Sequence, residues 1–302
     1  MEYYLQKKKI IKNREMRNFT FKGLFLAVVF MVLGSLSIQA ADGLITKQIT
    51  IKLDEAGTLP DKIGSAKRDK ITNLKIIGEI NGTDLRVIRY MLNRDTGGKL
   101  AILDLSEAKI VRGGDYYYYD YEEFYTHDNE LGTHAFYGCS GLTSLTLPSG
   151  LTSIGSWAFT GCSGLTSLSL PSGVTSIGDG AFFGLSSLTS LSLPSGLTSI
   201  GDQAFHECSG LTSLSLPSGL TSIGNQVFCY CSGLTTLSLP SGITSIGYNA
   251  FYGCSGLTSI YVYTEKMPKL GTNMFDGCDA KKCTVYVPKG TYDDYWLSEF
   301  GY

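Results

Sequence analysis

The stretch Cys139-Ser-Gly-Leu-Thr-Ser-Leu-Thr-Leu-Pro-Ser-Gly-Leu-Thr-Ser-Ile-Gly-Ser-Trp-Ala-Phe-Thr-Gly161 is followed at Cys162 by the same wording with small changes. Equivalent starts fall at Cys139, Cys162, Leu185, Cys208, Cys231 and Cys254, a step of 23 residues each time. The apolar places of the first copy are Cys139, Leu142, Leu145, Leu147, Leu151, Ile154 and Phe159. Burying these alone falls short of the entropy lost in ordering the whole copy. The copies must therefore stack, each burying its leucines against its neighbours, so that stability becomes a nearest-neighbour sum.

Leu142, Leu145 and Leu147 spell L-x-x-L-x-L at a period in the range of about 20–29 residues, the signature of a leucine-rich repeat. In Ser144-Leu145-Thr146-Leu147 the alternation predicts a short parallel strand, leucines inward and hydroxyls outward. Pro148-Ser149-Gly150 predicts a type I turn with Pro at its second and Gly at its fourth position. Leu151 to Gly155 predicts a second extended side, and Ala158-Phe159 returns an aromatic to the core. The fold class expected is an α/β-type repeat solenoid: a right-handed leucine-rich repeat coil of about 23-residue repeats. It has short parallel strands, an irregular or short helical other side, and a cap at each end.

Outward from the repeats, residues 1–41 read as a secretory signal peptide. Lys7-Lys8-Lys9, Lys12, Arg14, Arg17 and Lys22 precede an apolar run from Leu24 to Leu33, and Ala40 and Ala41 suit cleavage. The run is about half a bilayer span, so a retained anchor is the weaker reading. A start at Met16 would give a tidier leader. Residues 42–112 are expected to be an N-terminal cap of irregular coils with strands at Ile49–Leu53, Leu74–Ile80 and Ala101–Leu105. Thr83 or Asp84 is expected to cap a helix that carries Leu85, Ile88, Met91 and Leu92 on one face. A separate small α+β domain is the alternative. Residues 113–138 hold an insertion and a partial repeat, 139–277 the solenoid, and 278–302 a C-terminal cap. In that cap a strand from Cys283 to Val287 precedes a short helix opened at Thr291, which would lay Tyr292, Trp296 and Phe300 over the last leucine layer.

The insertion Asp115-Tyr-Tyr-Tyr-Tyr-Asp-Tyr-Glu-Glu-Phe-Tyr125 places six tyrosines among four acids. It reads either as a recognition loop, since Tyr gives large contact area at small entropic cost, or as a flap packed on its own cap. Calcium binding by Asp115, Asp120, Glu122, Glu123 or Asp128 lacks any known loop spacing.

Lys and Arg number 25 against 27 Asp and Glu, a formal charge of −2. Between Arg112 and Lys266 there is no Lys or Arg, and Asp179, Asp202 and Glu207 are the only acids of the regular copies. Such a surface cannot neutralise phosphates, which argues against nucleic acid and anionic membranes. The membrane would be met only through the leader before its removal. Of the eight cysteines, Cys139, Cys162, Cys208, Cys231, Cys254 and Cys278 share one repeat position, which Leu185 fills in the third copy. A place that accepts Leu is an apolar core site, so these are expected to be buried thiols. Cys229 lies outside the column and is expected to be the more exposed thiol. Zinc is disfavoured by ligand spacing. No G-x-S-x-G, H-E-x-x-H or Walker wording occurs, and no catalytic residue or cofactor is expected.

The coil "LTSLSLPSGLTSIGDQAFHECSG", with its Ile200-Gly201-Asp-Gln-Ala204-Phe205-His-Glu-Cys208 turn, resembles the BspA-like leucine-rich repeat family of bacterial surface proteins. "LKIIGEINGTDLRVIRYMLN", "LAILDLSEAKIV" and "CTVYVPKGTYDDYW" resemble the flanking segments of secreted members from Bacteroidetes. The resemblance implies a secreted or cell-surface, non-enzymatic protein engaged in adhesion or host contact. It transfers no ligand and no binding residue, because the shared residues are buried ones.

Two classes of function remain: a module that binds a protein or glycan at the cell exterior, and a self-associating envelope scaffold without a specific ligand. Variation concentrates in the pairs of residues before and after Ala-Phe, which favours binding. Binding energy gathers in aromatic or Arg anchors, and the regular copies contain no Arg. The candidate partner-binding residues are therefore Tyr116, Tyr117, Tyr118, Tyr119 and Tyr121 of the insertion, with Tyr261 and Tyr263 at the far end.

Overall fold

The structure, a computed structural model, describes residues 43–291. The expected leader, and the expected helix with Tyr292, Trp296 and Phe300, lie outside the described residues. The chain divides into two units, Met1–Lys47 and Gln48–Tyr302; the second carries the repeats.

That unit opens with β1 (Ile49–Lys52), short helices α1 (Leu59–Ile63) and α2 (Ser65–Arg68), β2 (Asn73–Ile80), helix α3 (Gly82–Leu92) and β3 (Ile102–Ile110). An antiparallel hairpin follows, β4 (Gly113–Asp120) with β5 (Glu122–Thr126), and then β6 (Glu130–Leu131) and β7 (Ser144–Thr146). β1, β2, β3 and β7 lie side by side as one parallel sheet, with Leu74 opposite Leu103 and Leu103 opposite Leu145. β1, β2 and β3 thus continue in one ladder into β7. Helix α3 is capped by Asn81, not by Thr83 or Asp84. The Asn81 side chain accepts from Thr83 N, and Asp84 reaches back to Asn81 N, a reciprocal capping box. Asp84 is fully buried and also accepts from Gly57 N and Leu59 N, which ties the α1 loop to α3.

From β7 onward each coil has three sides. The first carries β7, β9 (Ser167–Ser169), β11 (Ser190–Ser192), β13 (Ser213–Ser215), β15 (Thr236–Leu239), β17 (Ser259–Val262) and β19 (Thr284–Tyr286). In Ser-Leu-Ser the leucine is buried and both serines are exposed, as the pleat requires. The second side carries β8 (Ser153–Ile154), β10 (Ser176–Ile177), β12 (Ser199–Ile200), β14 (Ser222–Ile223), β16 (Ser245–Ile246) and β18 (Lys269–Leu270), with β6 leading β8. Partners such as Leu168 and Leu191 are one period apart, and where the wording decays the aliphatics stay paired across a longer spacing, Ile246 opposite Leu270 and Ile260 opposite Val285.

The turn between these sides is shifted by one residue from expectation. Leu151 N donates to Pro148 O, and Val174, Leu197, Leu220 and Ile243 repeat the bond to Pro171, Pro194, Pro217 and Pro240. Pro therefore stands first in the turn and Gly third. The shift gives the N–H of each buried aliphatic a partner, as burial demands.

The third side is a turn that ends in Ala-Phe. Phe159, Phe182, Phe205, Phe228 and Phe251 stack in parallel, neighbouring centroids 5.2–5.5 Å apart and planes within 9°. Alternate N–H groups on this side reach the next coil, for example Phe182 N to Ala204 O at 2.8 Å, and those between them close the turn itself, as Phe183 N to Gly180 O does. At one coil boundary only this side is bonded. The strand ladders are interrupted between β11 and β13 and between β12 and β14, while Gln203, Phe205 and Glu207 still donate to Asn225, Val227 and Cys229. At that boundary Leu193 is half-buried, whereas its column mates Leu147, Leu170, Leu216 and Leu239 are buried.

Candidate functional site

The tyrosines of the insertion do not act as one patch. Alternation along β4 turns Tyr117 inward, where it is 2% exposed and its hydroxyl donates to Thr133 O at 2.6 Å. Burial pushes its phenol well above the ordinary range. Tyr117 is therefore a core residue and is withdrawn as a binding candidate. Tyr118 is half-buried, packed against Phe124, His134 and Tyr137 with ring centroids 5.1–6.2 Å apart. The Arg89 guanidinium lies 4.4 Å over its ring. That same guanidinium donates to the carbonyls of His134, Ala135 and Tyr137 at 2.6–3.0 Å. Arg89 thus rivets α3 to the first Ala-Phe turn with the hairpin clamped over it. Tyr116 is half-buried, with Arg86 near its ring and Arg86 paired to Asp115 at 2.6 Å. Tyr119 at 63% and Tyr121 at 97% exposure are the most exposed tyrosines of the flap, and Tyr119 lies against Tyr116 with ring centroids 6.4 Å apart.

At the other end the alternation of β17 turns Tyr261 outward, and it stacks on Tyr286 of β19, centroids 4.7 Å apart and planes 8° apart. Tyr263 and Tyr286 are exposed. The strand side between the two ends is a shallow serine-lined trough. One cavity of about 470 Å³ is bounded by Ser190, Ser192, Ser213, Ser215 and Pro217, at the boundary where both strand ladders are interrupted.

A third surface was not singled out from sequence. On the turn side Trp157, Phe183, His206, Tyr230 and Tyr252 contact one another in succession, centroids 4.7–5.8 Å apart. They come from different columns of the repeat: Trp157 precedes Ala-Phe, Phe183 and His206 follow it, and Tyr230 lies one further on. The signal available was the variation before and after Ala-Phe. The geometry needed was the left-handed backbone of Trp157 and Tyr230, φ 56° and 58°, which aims those rings at the neighbouring coil. Beside the strip runs a polar row: Asp202 N donates to Asp179 Oδ1, Asn225 N to Asp202 Oδ1 and Tyr248 N to Asn225 Oδ1, at 2.8–3.1 Å.

The thiols are structural. Cys162, Cys208, Cys231 and Cys254 are buried, and each donates to a Phe carbonyl of the preceding coil at 3.0–3.1 Å. Burial raises Cys208 to about 12 and Cys139 to about 11. Cys229, expected to be the more exposed thiol, is instead buried, at 2% exposure. Cys278 and Cys283 are the half-exposed thiols. Among the described residues no group of three or more His, Cys, Asp or Glu side chains gathers as a metal site would require. Among them, too, no helix is long and apolar enough to cross a membrane.

The BspA type leucine rich repeat region matches in six copies over residues 123–209 and 176–291, more than half of the chain. A search of curated proteins finds no match. Among solved structures, a T. pallidum leucine rich repeat protein is 32% identical, with a TM-score of 0.50, over 57% of this chain and 77% of its own. A leucine rich cell surface protein of Faecalibacterium prausnitzii A2-165 is 31% identical, with a TM-score of 0.49, over 61% of this chain and 46% of its own. A leucine-rich repeat protein of Bacteroides ovatus ATCC 8483 is 23% identical, with a TM-score of 0.47, over 87% of this chain and 73% of its own. The 23-residue step, the paired strand tracks and the Ala-Phe stack agree with the matched repeats, and the chain belongs to the BspA type leucine-rich repeat family.

Proposed function

We propose that this chain is exported and works outside the cytoplasm as a non-catalytic binding protein, holding a protein or glycan partner in adhesion or host contact. The observation that carries this reading is the division of labour in each coil. Leucine, cysteine and phenylalanine build a self-sufficient core, the regular copies present few charges to solvent, and aromatic side chains stand out toward the two ends: Tyr119, Tyr121, Tyr263 and Tyr286. Aromatic anchors on a rigid frame are what partner binding uses. The leader-like residues 1–41 support export.

Two measurements test the proposal. Amino-terminal sequencing of protein from its native host should find a start near Ala41 or Asp42, with the protein outside the cytoplasm. Beads carrying the purified protein should retain at least one member of a defined panel of extracellular-matrix proteins and polysaccharides. A cytoplasmic chain with an intact start, or beads that retain nothing from the panel, would overturn the reading.

A further inference from the structure

The turn-side strip joins aromatic and polar chemistry in a way neither tyrosine patch does. Phe183 and His206 lie parallel, planes 7° apart, and cover one another's faces. Trp157 at one end is half-buried and tilted 48° to Phe183, and Tyr230 meets His206 on one side and Tyr252 on the other edge-on, so each keeps part of its ring open to solvent. Tyr230 is 48% exposed. The backbone N–H of Trp157 donates to Asp179 O at 2.8 Å, so the polar row stands directly beside the rings. In that row Asp179 and Asp202 are exposed, each with hydrogen-bonding capacity directed to solvent.

We infer that this strip binds a neutral polysaccharide lying along the solenoid axis, sugar C–H faces against Trp157 and Tyr230 and sugar hydroxyls on the Asp179–Asp202–Asn225 row. This rests on the binding reading above and names its site and ligand class. Three features select the occupant. The contact chemistry recurs coil by coil along one axis, which matches a polymer that repeats along one axis. A globular protein would instead need a broad patch of about 800 Å² with a central cluster of anchors, and the strip is a single file of rings. The carboxylates of the row, with no Lys or Arg between Arg112 and Lys266, repel uronate or sulfate and leave uncharged hydroxyls as the fitting partner.

The two open rings can be removed without straining the chain. Trp157 and Tyr230 both sit at left-handed φ, and Gly180 and Gly253 fill the same columns in other coils. Trp157→Gly with Tyr230→Gly therefore deletes the platforms at positions where glycine is at home. Affinity electrophoresis of the purified protein through gels containing mixed-linkage β-glucan, starch, yeast mannan or polygalacturonate gives the test. The expected result is retardation by at least one neutral polysaccharide and none by polygalacturonate. The double variant should weaken that retardation at least tenfold while keeping its circular dichroism and melting transition, and Tyr261→Ser with Tyr263→Ser should leave it unchanged. No retardation in any neutral gel, retardation by polygalacturonate alone, or undiminished retardation of the glycine variant would overturn the inference. Retardation lost only with Tyr261→Ser and Tyr263→Ser would overturn the strip and leave the binding reading standing.

Discussion

The Cys208 thiol donates to the carbonyl of Phe182, 26 residues earlier, at 3.0 Å. That carbonyl also accepts from Leu185 N at 3.3 Å, so losing the thiol leaves no orphaned acceptor. Cys208→Leu should therefore cost less than about 1.5 kcal/mol, as a roughly volume-matched apolar swap. Cys208→Asp should prevent folding, by burying a charge without a partner. Urea titration of both variants checks this. Loss of folding in the leucine variant would show that the thiol does more than pack. In the native protein the buried thiols should resist iodoacetamide, because thiolate is the reacting form and burial suppresses it. Mass spectrometry should find any fast label on Cys278 or Cys283.

Arg89 holds three carbonyls of the first turn with one guanidinium. Arg89→Ala should lower stability by on the order of 2–3 kcal/mol and loosen the hairpin, with a loss of tyrosine near-ultraviolet dichroism. Arg89→Lys should recover only part, since an ammonium lacks the planar fork. An alanine variant with unchanged melting would refute the rivet.

Glu207 sits at φ 60°, in a column where Gly138, Gly161, Gly184, Gly253 and Gly277 stand. A left-handed conformation costs an L-residue roughly 1–2 kcal/mol, and glycine gives back part of that through its larger unfolded-state entropy. Glu207→Gly should thus stabilise by up to about 1 kcal/mol, read as a higher melting temperature. A lower one would mean that the Glu207 side chain contributes more than its 3.7 Å approach to His206 suggests.

His206 is buried between Phe183 and Tyr230, and burial lowers its pKa; burial lowers His134 likewise. The unfolded chain takes up protons near the ordinary value of about 6.5, while the folded chain takes them up only at lower pH. The contribution to stability is therefore complete above about pH 7 and is lost as pH falls below that value. His206→Phe, which copies Phe183, should shrink the fall in melting temperature between pH 7 and pH 5. An unchanged pH profile would place the dependence on other groups.

Much of this was legible in sequence because a repeat reports its own contacts. Leu145, Leu168 and Leu191 recur at one spacing, and each is buried at one strand position. The cysteine column was readable because Leu185 substitutes within it. The insertion was less legible. Its four consecutive tyrosines carry no contrast between faces, so nothing in the string separates buried Tyr117 from exposed Tyr119. By alternation Tyr117 and Tyr119 share a face of β4, and what separates them is tertiary: Thr133 O accepts from the Tyr117 hydroxyl, while Tyr119 stands beside the hairpin tip, opposite Glu123.

The sequence by itself determined the coil: its period, its inward columns, its proline-marked corner and the stacking that one copy cannot do without. These follow from hydrophobic alternation and turn chemistry, which act over a few residues and are copied every 23. Only the tertiary structure decided where the surface aromatics meet. Trp157 and Phe183 lie in different coils and different columns, and their rings converge because left-handed backbone at Trp157 redirects its side chain across the coil boundary. A φ value of that sign is optional for a tryptophan and obligatory only in the stacked turn. It is imposed by the N–H···O bonds between coils, which a linear reading of the chain does not contain.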